Sequence, residues 1–299
     1  MRAMALYNSW GSSGWLDALP RDVLNFVDVQ HADVRDSSRT STLTDGCDLV
    51  IHLAALVAIP YSYIAAESFV QTNVIGTLNV LEAARSANVQ KVIVASTSEV
   101  YGTPETTPIL EAHPLKAQSP YAATKIAADQ LAMSFSASFG LNVAIVRPFN
   151  TYGPRQSLRA VIPTVLAQMI AGKEEVSLGS LHTLRDFVFV ADTVDGFVRM
   201  AVTDTAPGEV VQLGTGKAVS IADVVKLCRD ITDSNASIVE SAERIRPEAS
   251  EVQVLLADPA KASLLLDWEP RVDLQVGLKA TADWIREKPY AVDPARFYR

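Results

Sequence analysis

The sequence predicts a doubly wound α/β architecture built on a mostly parallel sheet, and three observations lead there. Short apolar, β-branched runs alternate with longer stretches of helical periodicity, the pattern of βαβ units. Those runs are apolar nearly throughout rather than alternately polar, so both faces of the sheet are expected to be covered. With 299 residues, 48% of them hydrophobic, the chain has material for a sizeable core and more than one structural region.

Taken in order, strands are expected at Arg2–Leu6, Leu24–Val29, Asp48–Leu53, Lys91–Ala95 and Asn142–Arg147. A long helix is expected over Glu67–Ala87, where Phe69, Val70, Val74, Leu78 and Leu81 recur at helical spacing. A second covers Pro120–Ser138, with Ser119 as N-cap and Pro120 as its first residue. Each supplies a right-handed crossover. Beyond Asn150 the rhythm changes: Val161–Ala171 and Ile221–Ile231 read as helices, but strands shorten and loops lengthen. Residues 1–150 are therefore read as one domain and 151–299 as a smaller region over the sheet's carboxyl edge. Residues 185–215 are expected to pack back on the first domain, because Arg185–Ala201 has a strand-then-helix pattern.

Composition excludes several functions. With 26 Lys and Arg against 34 Asp and Glu, a net charge of −8, no basic surface invites nucleic acid or anionic lipid. The uncharged run from Leu49 to Ala66 contains His52, Pro60, Tyr61, Ser62 and Tyr63, which suits a buried strand and loop rather than a membrane span. Cys47 and Cys228 are far apart and without metal-ligand spacing, so no metal site is expected. With no leader pattern at Met1, a cytoplasmic location is the expectation.

The residues that suggest chemistry begin with Tyr121 and Lys125, four apart and hence on one helix face. An ammonium beside a phenol favours the phenolate, which would let Tyr121 take a proton from a sugar hydroxyl. Alone, Tyr-x-x-x-Lys is common and uninformative. Its neighbours here are Ser96-Thr97-Ser98-Glu99-Val100-Tyr101-Gly102 at a strand's carboxyl end, Asn73-Val74-Ile75-Gly76-Thr77, and Arg147-Pro148-Phe149-Asn150-Thr151-Tyr152-Gly153-Pro154-Arg155.

In this order and spacing the motifs resemble, over nearly the whole chain, the extended short-chain dehydrogenase/reductases (the NAD-dependent epimerase/dehydratase family), with a Rossmann-like sheet. Glu99, where epimerases usually carry a small residue, resembles the nucleotide-sugar 4,6-dehydratases. Tyr7-Asn8-Ser9-Trp10, Ile59-Pro60-Tyr61-Ser62-Tyr63 and Arg244-Ile245-Arg246-Pro247-Glu248 are similar, more narrowly, to UDP-N-acetylglucosamine 4,6-dehydratases of legionaminic acid type.

The resemblance implies roles. Tyr121, with Lys125 and Thr97, would act at the sugar 4-hydroxyl while hydride passes to NAD, and Glu99 would take the C5 proton before the C6 hydroxyl leaves as water. Ser98 stands where some dehydratases carry an acidic Asp, leaving the acid open between Glu99, a water held by Ser98, or another group. On the cofactor side the resemblance implies Asp33 and Val34 at the adenine, Leu53, Ala54 and Ala55 along the diphosphate and ribose, and Thr72, Ser96 and Pro148 near the dinucleotide. On the substrate side it implies Asn150, Arg155, Arg185, Asp186 and Arg246, since a guanidinium fork suits phosphate. The partner implied is a nucleotide sugar, and the protein is expected to be a homodimer paired through helices 67–87 and 120–138.

Each residue also has a plainer reading. Glu99 could be a solvated carboxylate, Thr97 a cap, and any one arginine a surface ion pair worth little. Asn73 either bonds backbone or joins a proton relay. His52, in an apolar strand, reads as a satisfied core histidine. Two rival functions are epimerisation or decarboxylation of a UDP-sugar, and a non-catalytic remnant.

One departure from the family is large. Members begin with a strand, a Gly-x-x-Gly-x-x-Gly turn and a helix that holds the dinucleotide diphosphate. Gly11 and Gly14 have a tempting spacing, but the third position is Asp17, a negative charge where phosphate should approach. Arg2–Leu6 therefore matches the family's second strand, and the first, central in a 3-2-1-4 order, is missing. A start lying upstream is the favoured explanation, and the chain as written is expected to bind dinucleotide weakly. Tyr7, Asn8 and Ser9 select neither NAD nor NADP; NAD follows from the dehydratase resemblance only.

Overall fold

The computed structural model describes residues 1–289 and residue 294. Its sheet is broken in two. β1 (Arg2–Leu6) pairs in parallel with β2 (Asp28–Ala32), and a separate parallel sheet runs in the order β3 (Leu49–His52), β4 (Lys91–Ala95), β5 (Val143–Pro148) and then Glu209–Leu213. Among the described residues no strand joins β1 to β3, which is the break the sequence implies. Leu6, Leu49, Ile51 and Leu53 are accordingly exposed along these edges.

β4 and β5 show why the fold is doubly wound. On β4, Val92 and Val94 pack with Leu81, Ala132 and Phe135 on one face, while Ile93 packs with Val100, Tyr101 and Met200 on the other. On β5, Val143 and Ile145 share the first face and Ala144 and Val146 the second. Side chains alternate across a strand, so a continuous apolar run feeds two cores at once. The Gly76–Ser86 and Pro120–Phe139 helices cover the first face, and Val190–Val202 lies on the second.

Two expected elements come out differently. Leu24–Val29 is not a strand: Pro20 starts a helical turn at Arg21–Leu24, which closes through Phe26 N–H to Val23 O and Val27 N–H to Leu24 O, so β2 begins only at Asp28. The long helix from residue 67 is interrupted by a π turn at Val70–Ile75 between Ala66–Phe69 and Gly76–Ser86. Such a turn inserts a residue without ending the helix. It carries Asn73, whose amide donates to Leu56 O and Thr124 Oγ1 (both 3.0 Å) and whose Oδ1 accepts from Leu56 N (2.8 Å). Asn73 thus clamps the backbone at Leu56, fixing the loop after β3, and ties it to Thr124 on the Pro120–Phe139 helix. His52 is likewise a core histidine, 3.0 Å from Thr77 Oγ1 and held neutral by burial, which pushes it down to about 3.

The second region is organised around β8 (Leu184–Phe189), which pairs with β6 (Asn150–Tyr152), β10 (Ala218–Ser220) and β12 (Val254–Leu255). β7 (Glu175–Leu178) and β11 (Ser237–Glu240) pair separately, and β9 (Glu209–Leu213) is the strand that closes the first sheet. The helices Val161–Ile170, Ile221–Thr232 and Leu274–Glu287 surround a core that includes Leu166, Val224, Cys228 and Leu278.

The β1–β2 pair is fastened through its connecting helix. Ser37–Thr44 packs on Gly76–Ser86, and Asn79 Nδ2 donates to Val34 O and Arg35 O at 3.0 and 3.1 Å. The fit is closest at Gly76, where an added Cβ would stand 2.7 Å from Val34 Cγ1. Val34 is a stiff β-branched side chain, so Gly76→Ala is expected to lower stability by about 1–2 kcal/mol in urea denaturation despite alanine's higher helix propensity. Val34→Ala in the same chain should recover most of that loss.

Candidate active site

The carboxyl ends of β4 and β5 deliver the site. After β4 the chain passes Ser96 and enters a 3-10 turn at Ser98–Tyr101 capped by Thr97, whose Oγ1 accepts from Glu99 N at 3.2 Å. The cap points the Glu99 side chain toward the cavity while Ser98 and Tyr101 stay buried. Ser119 caps the facing helix by accepting from Ala122 N at 3.1 Å, and Pro120 occupies its first turn, where a missing N–H does no harm. Tyr121 follows at once, 6% exposed, its ring set edge-on to Phe69 at 6.2 Å. Lys125 lies one turn behind and donates from Nζ to Ala95 O at 2.6 Å.

Below these groups lies a buried ion pair that sequence reading did not single out. Asp129, one turn after Lys125, accepts through Oδ2 from Arg147 Nε (3.1 Å), Arg147 Nη2 (3.0 Å) and Ser96 Oγ (2.9 Å). Arg147 also donates to Tyr101 Oη at 3.1 Å. Burial raises the Asp129 carboxyl, and Arg147 opposes it.

Tyr121 is governed by its surroundings in the free protein. Burial pushes its phenol well above the ordinary value, only partly offset by a hydrogen bond with Thr97, and Lys125 spends a proton on Ala95 O rather than on the phenol. Burial also pushes Lys125 down to about 8, against the pull of Asp129. In the free protein, then, desolvation is the largest influence on the phenol.

A cavity of about 590 Å³, within the range of small-molecule sites, opens in front of these residues. Ser96, Thr97, Glu99, Tyr121 and Pro148 line one part of it. Asn150, Arg185 and Arg246 also line it, and Asn150 Oδ1 is buried without a hydrogen-bond partner. Arg185 pairs with Glu251 at 3.0 Å, and Arg246 Nη1 stands 3.7 Å from Glu251 and 3.8 Å from Glu99. Arg159, Arg244 and Glu251, none of them expected, complete the charged lining.

Other expected residues lie elsewhere. Arg155 sits at φ +71° in an exposed turn outside the cavity lining, where Arg159 stands instead. Asp186 is fully buried, and its carboxylate accepts from Thr215 N and Oγ1 (2.8 and 2.6 Å), Gly216 N (3.0 Å) and Ala257 N (3.3 Å), so it holds the loop after β9 rather than facing a substrate. Asp33 is chelated by Arg35, and Val34 is buried against Gly76. Leu53, Ala54 and Ala55 form the exposed to half-buried loop that Asn73 fixes at Leu56, and Thr72 is half-buried on the π turn. After β1, Asp17 accepts from Ser13 N (2.9 Å) and Ser12 Oγ (2.8 Å), filling the donors a phosphate would need.

This geometry is that of an α/β protein with a tyrosine, a carboxylate and paired arginines gathered at the sheet's carboxyl edge. Over residues 4–281 the sequence matches the family described as GDP-mannose 4,6 dehydratase. It is 31% identical over 276 residues to a dTDP-glucose 4,6-dehydratase of Streptomyces antibioticus, covering 92% of this chain and 80% of that protein. It is also 31% identical, over 265 residues, to a UDP-glucose 4-epimerase of Mycolicibacterium smegmatis, covering 86% and 82%. Among solved structures, a double mutant of the dTDP-glucose 4,6-dehydratase DesIV of Streptomyces venezuelae, crystallised with NAD, superimposes with a TM-score of 0.83 at 29% identity, covering 91% and 82%. The chain belongs to the NAD-dependent epimerase/dehydratase family of extended short-chain dehydrogenase/reductases, with both nucleotide-sugar 4,6-dehydratases and 4-epimerases among its relatives. Among the described residues no helix is long and apolar enough to cross a membrane, and no cluster of potential metal ligands occurs.

The buried lysine makes a pH prediction. Lys125 titrates near 8 in the folded chain against an ordinary 10.5, so between those values the unfolded chain holds the extra proton. Stability from this group is therefore full above pH 10.5 and falls away as pH drops to 8, on the order of 1 kcal/mol per pH unit. Urea denaturation across that window should show the slope in the native chain and its removal in Lys125→Met.

Proposed function

We propose that this chain is a nucleotide-sugar 4,6-dehydratase acting on UDP-N-acetylglucosamine with NAD, in the cytoplasm. The observation that carries the reading is one cavity lined by a Tyr-Thr pair, a carboxylate at Glu99 and the arginines Arg185 and Arg246. The motifs around Ile59–Tyr63 and Arg244–Glu248 narrow the substrate class to an acetamido UDP-sugar.

The Tyr121 end suits the ring and ribose of NAD: Tyr121 and Lys125 lie behind Ser96 and Pro148 at the carboxyl edge of the sheet. The turn after β1 does not suit the diphosphate, because Asp17 fills its donors. When bound, such a cofactor supplies a hydride acceptor and donor. The chain's own residues handle protons and anions. Tyr121 takes the proton of the 4-hydroxyl, with Thr97 bonded to the phenol and Lys125 as the nearby cation. Glu99 takes the C5 proton, which a neighbouring carbonyl makes acidic. Arg185 and Arg246 receive the diphosphate, and Asn150 Oδ1 offers an unfilled acceptor to the sugar or nucleotide.

In this reading residues 1–150 carry the proton-transfer side and 151–299 the anion side, with 185–215 packed back on the first part. A homodimer would form through helices 67–87 and 120–138; Val70 and Ile75 are exposed on the first.

The rival is 4-epimerisation, which uses Tyr121 and Thr97 but has no need of Glu99. The test is to supply UDP-N-acetylglucosamine and excess NAD in deuterated water and identify the product by NMR. A 4-keto-6-deoxy sugar carrying deuterium at C5 is expected, with kcat reduced about 10²–10⁴-fold in Glu99→Gln. A product inverted at C4 with its C6 hydroxyl intact, formed equally well by Glu99→Gln, would replace the dehydratase reading with the epimerase one.

A further inference from the structure

Of the six described charged residues that line the cavity, four are linked to one another: Glu99, Arg185, Arg246 and Glu251. Glu251 binds Arg185 closely, at 3.0 Å, and Arg185 is further anchored by Nη1 donating to Leu184 O at 2.9 Å. Arg246 is held differently. Its Nη1 stands between two carboxylates, 3.8 Å from Glu99 Oε1 and 3.7 Å from Glu251 Oε1, too far for a hydrogen bond to either. That same nitrogen is buried and has no hydrogen-bond partner at all. Arg246 is thus attracted by two anions and bonded by neither through Nη1. It also lies on an irregular segment between the 3-10 turns Ala242–Arg244 and Glu248–Ser250, whereas Arg185 is fixed in β8.

We propose that Arg246 exchanges partners: in the free protein it neutralises Glu99, and when the diphosphate of a substrate enters it turns to the phosphate and leaves Glu99 uncovered. The inference rests on the reading of the cavity as a nucleotide-sugar site. An entering dianion competes with Glu99 and Glu251 for the guanidinium groups of Arg185 and Arg246, with Arg159 and Arg244 on the same lining. Arg185 has a short contact with Glu251 and a backbone bond to lose. Arg246 has an unfilled donor, which a phosphate oxygen can accept in a charge-assisted hydrogen bond. Glu99 then faces the sugar without Arg246 at its side, with Arg185 still on the same wall of the cavity. The base is exposed only once the diphosphate is in place, which keeps it from acting on molecules that lack one.

Because Glu99 and the phosphate compete for one guanidinium, removing the Glu99 charge should strengthen diphosphate binding, and only through Arg246. Calorimetric titration of UDP into the native chain, Glu99→Gln, Arg246→Gln and the double variant tests this. Glu99→Gln should bind UDP about three- to tenfold tighter than the native chain, and Arg246→Gln about tenfold weaker or more. In the Arg246→Gln background, Glu99→Gln should change affinity by less than about twofold. Glu99→Ala repeats the comparison should the glutamine variant fold poorly. Unchanged affinity in Glu99→Gln, or a gain that persists without Arg246 as general charge repulsion would give, overturns the exchange alone. A native chain that binds no UDP at low ionic strength overturns the nucleotide-sugar reading together with the exchange.

Discussion

The buried pair of Asp129 and Arg147 is the interaction on which the site depends. Arg147 comes from β5, Asp129 from the helix that carries Tyr121 and Lys125, and Ser96 from the end of β4. Their bonds tie three elements together beside Thr97, Tyr121 and Lys125. Tyr101 extends the network, accepting from Arg147 and donating to Gln212 on β9 at 3.1 Å. A buried ion pair adds little net stability over an apolar filling, but loss of one member strands a charge without water. The geometry of Thr97, Glu99, Tyr121 and Lys125 is therefore coupled to one carboxylate that touches none of their reacting atoms.

Burial also sets the resting state of the site. It raises the Tyr121 phenol and lowers Lys125, while Glu99 stands 3.8 Å from Arg246. β1 and β3 each keep an unpaired edge, and the β1–β2 pair is held instead through the Ser37–Thr44 helix on Gly76–Ser86. The cavity is lined from the carboxyl ends of β4 and β5 and from the second region, while in the turn after β1 Asp17 accepts from Ser13 N and Ser12 Oγ.

Much of this was legible from local rules. Ser119 and Pro120 mark a helix start, Tyr121 and Lys125 share its face, and the continuous apolar runs of β4 and β5 imply a sheet covered on both sides. What escaped depends on contacts distant in sequence. Asp129 has no motif of its own until Arg147 is brought under it, and Glu251 is one glutamate among many until Arg185 and Arg246 converge on it. Arg155 carries the motif but sits in a left-handed turn, and Arg159, four residues on and outside any motif, lines the cavity. Asp186 sits beside Arg185 in sequence, but neighbours on a strand point to opposite faces, and it caps the loop at Thr215 and Gly216. The π turn at Val70–Ile75 left the helical periodicity nearly intact and so gave no signal.

The most direct test of this account is the stability of Asp129→Asn, measured by urea denaturation beside the native chain. Leaving Arg147 buried and unpaired should lower stability by about 3–5 kcal/mol. A loss below about 1 kcal/mol, as for an exposed pair, would contradict the claim that this carboxylate underpins the site.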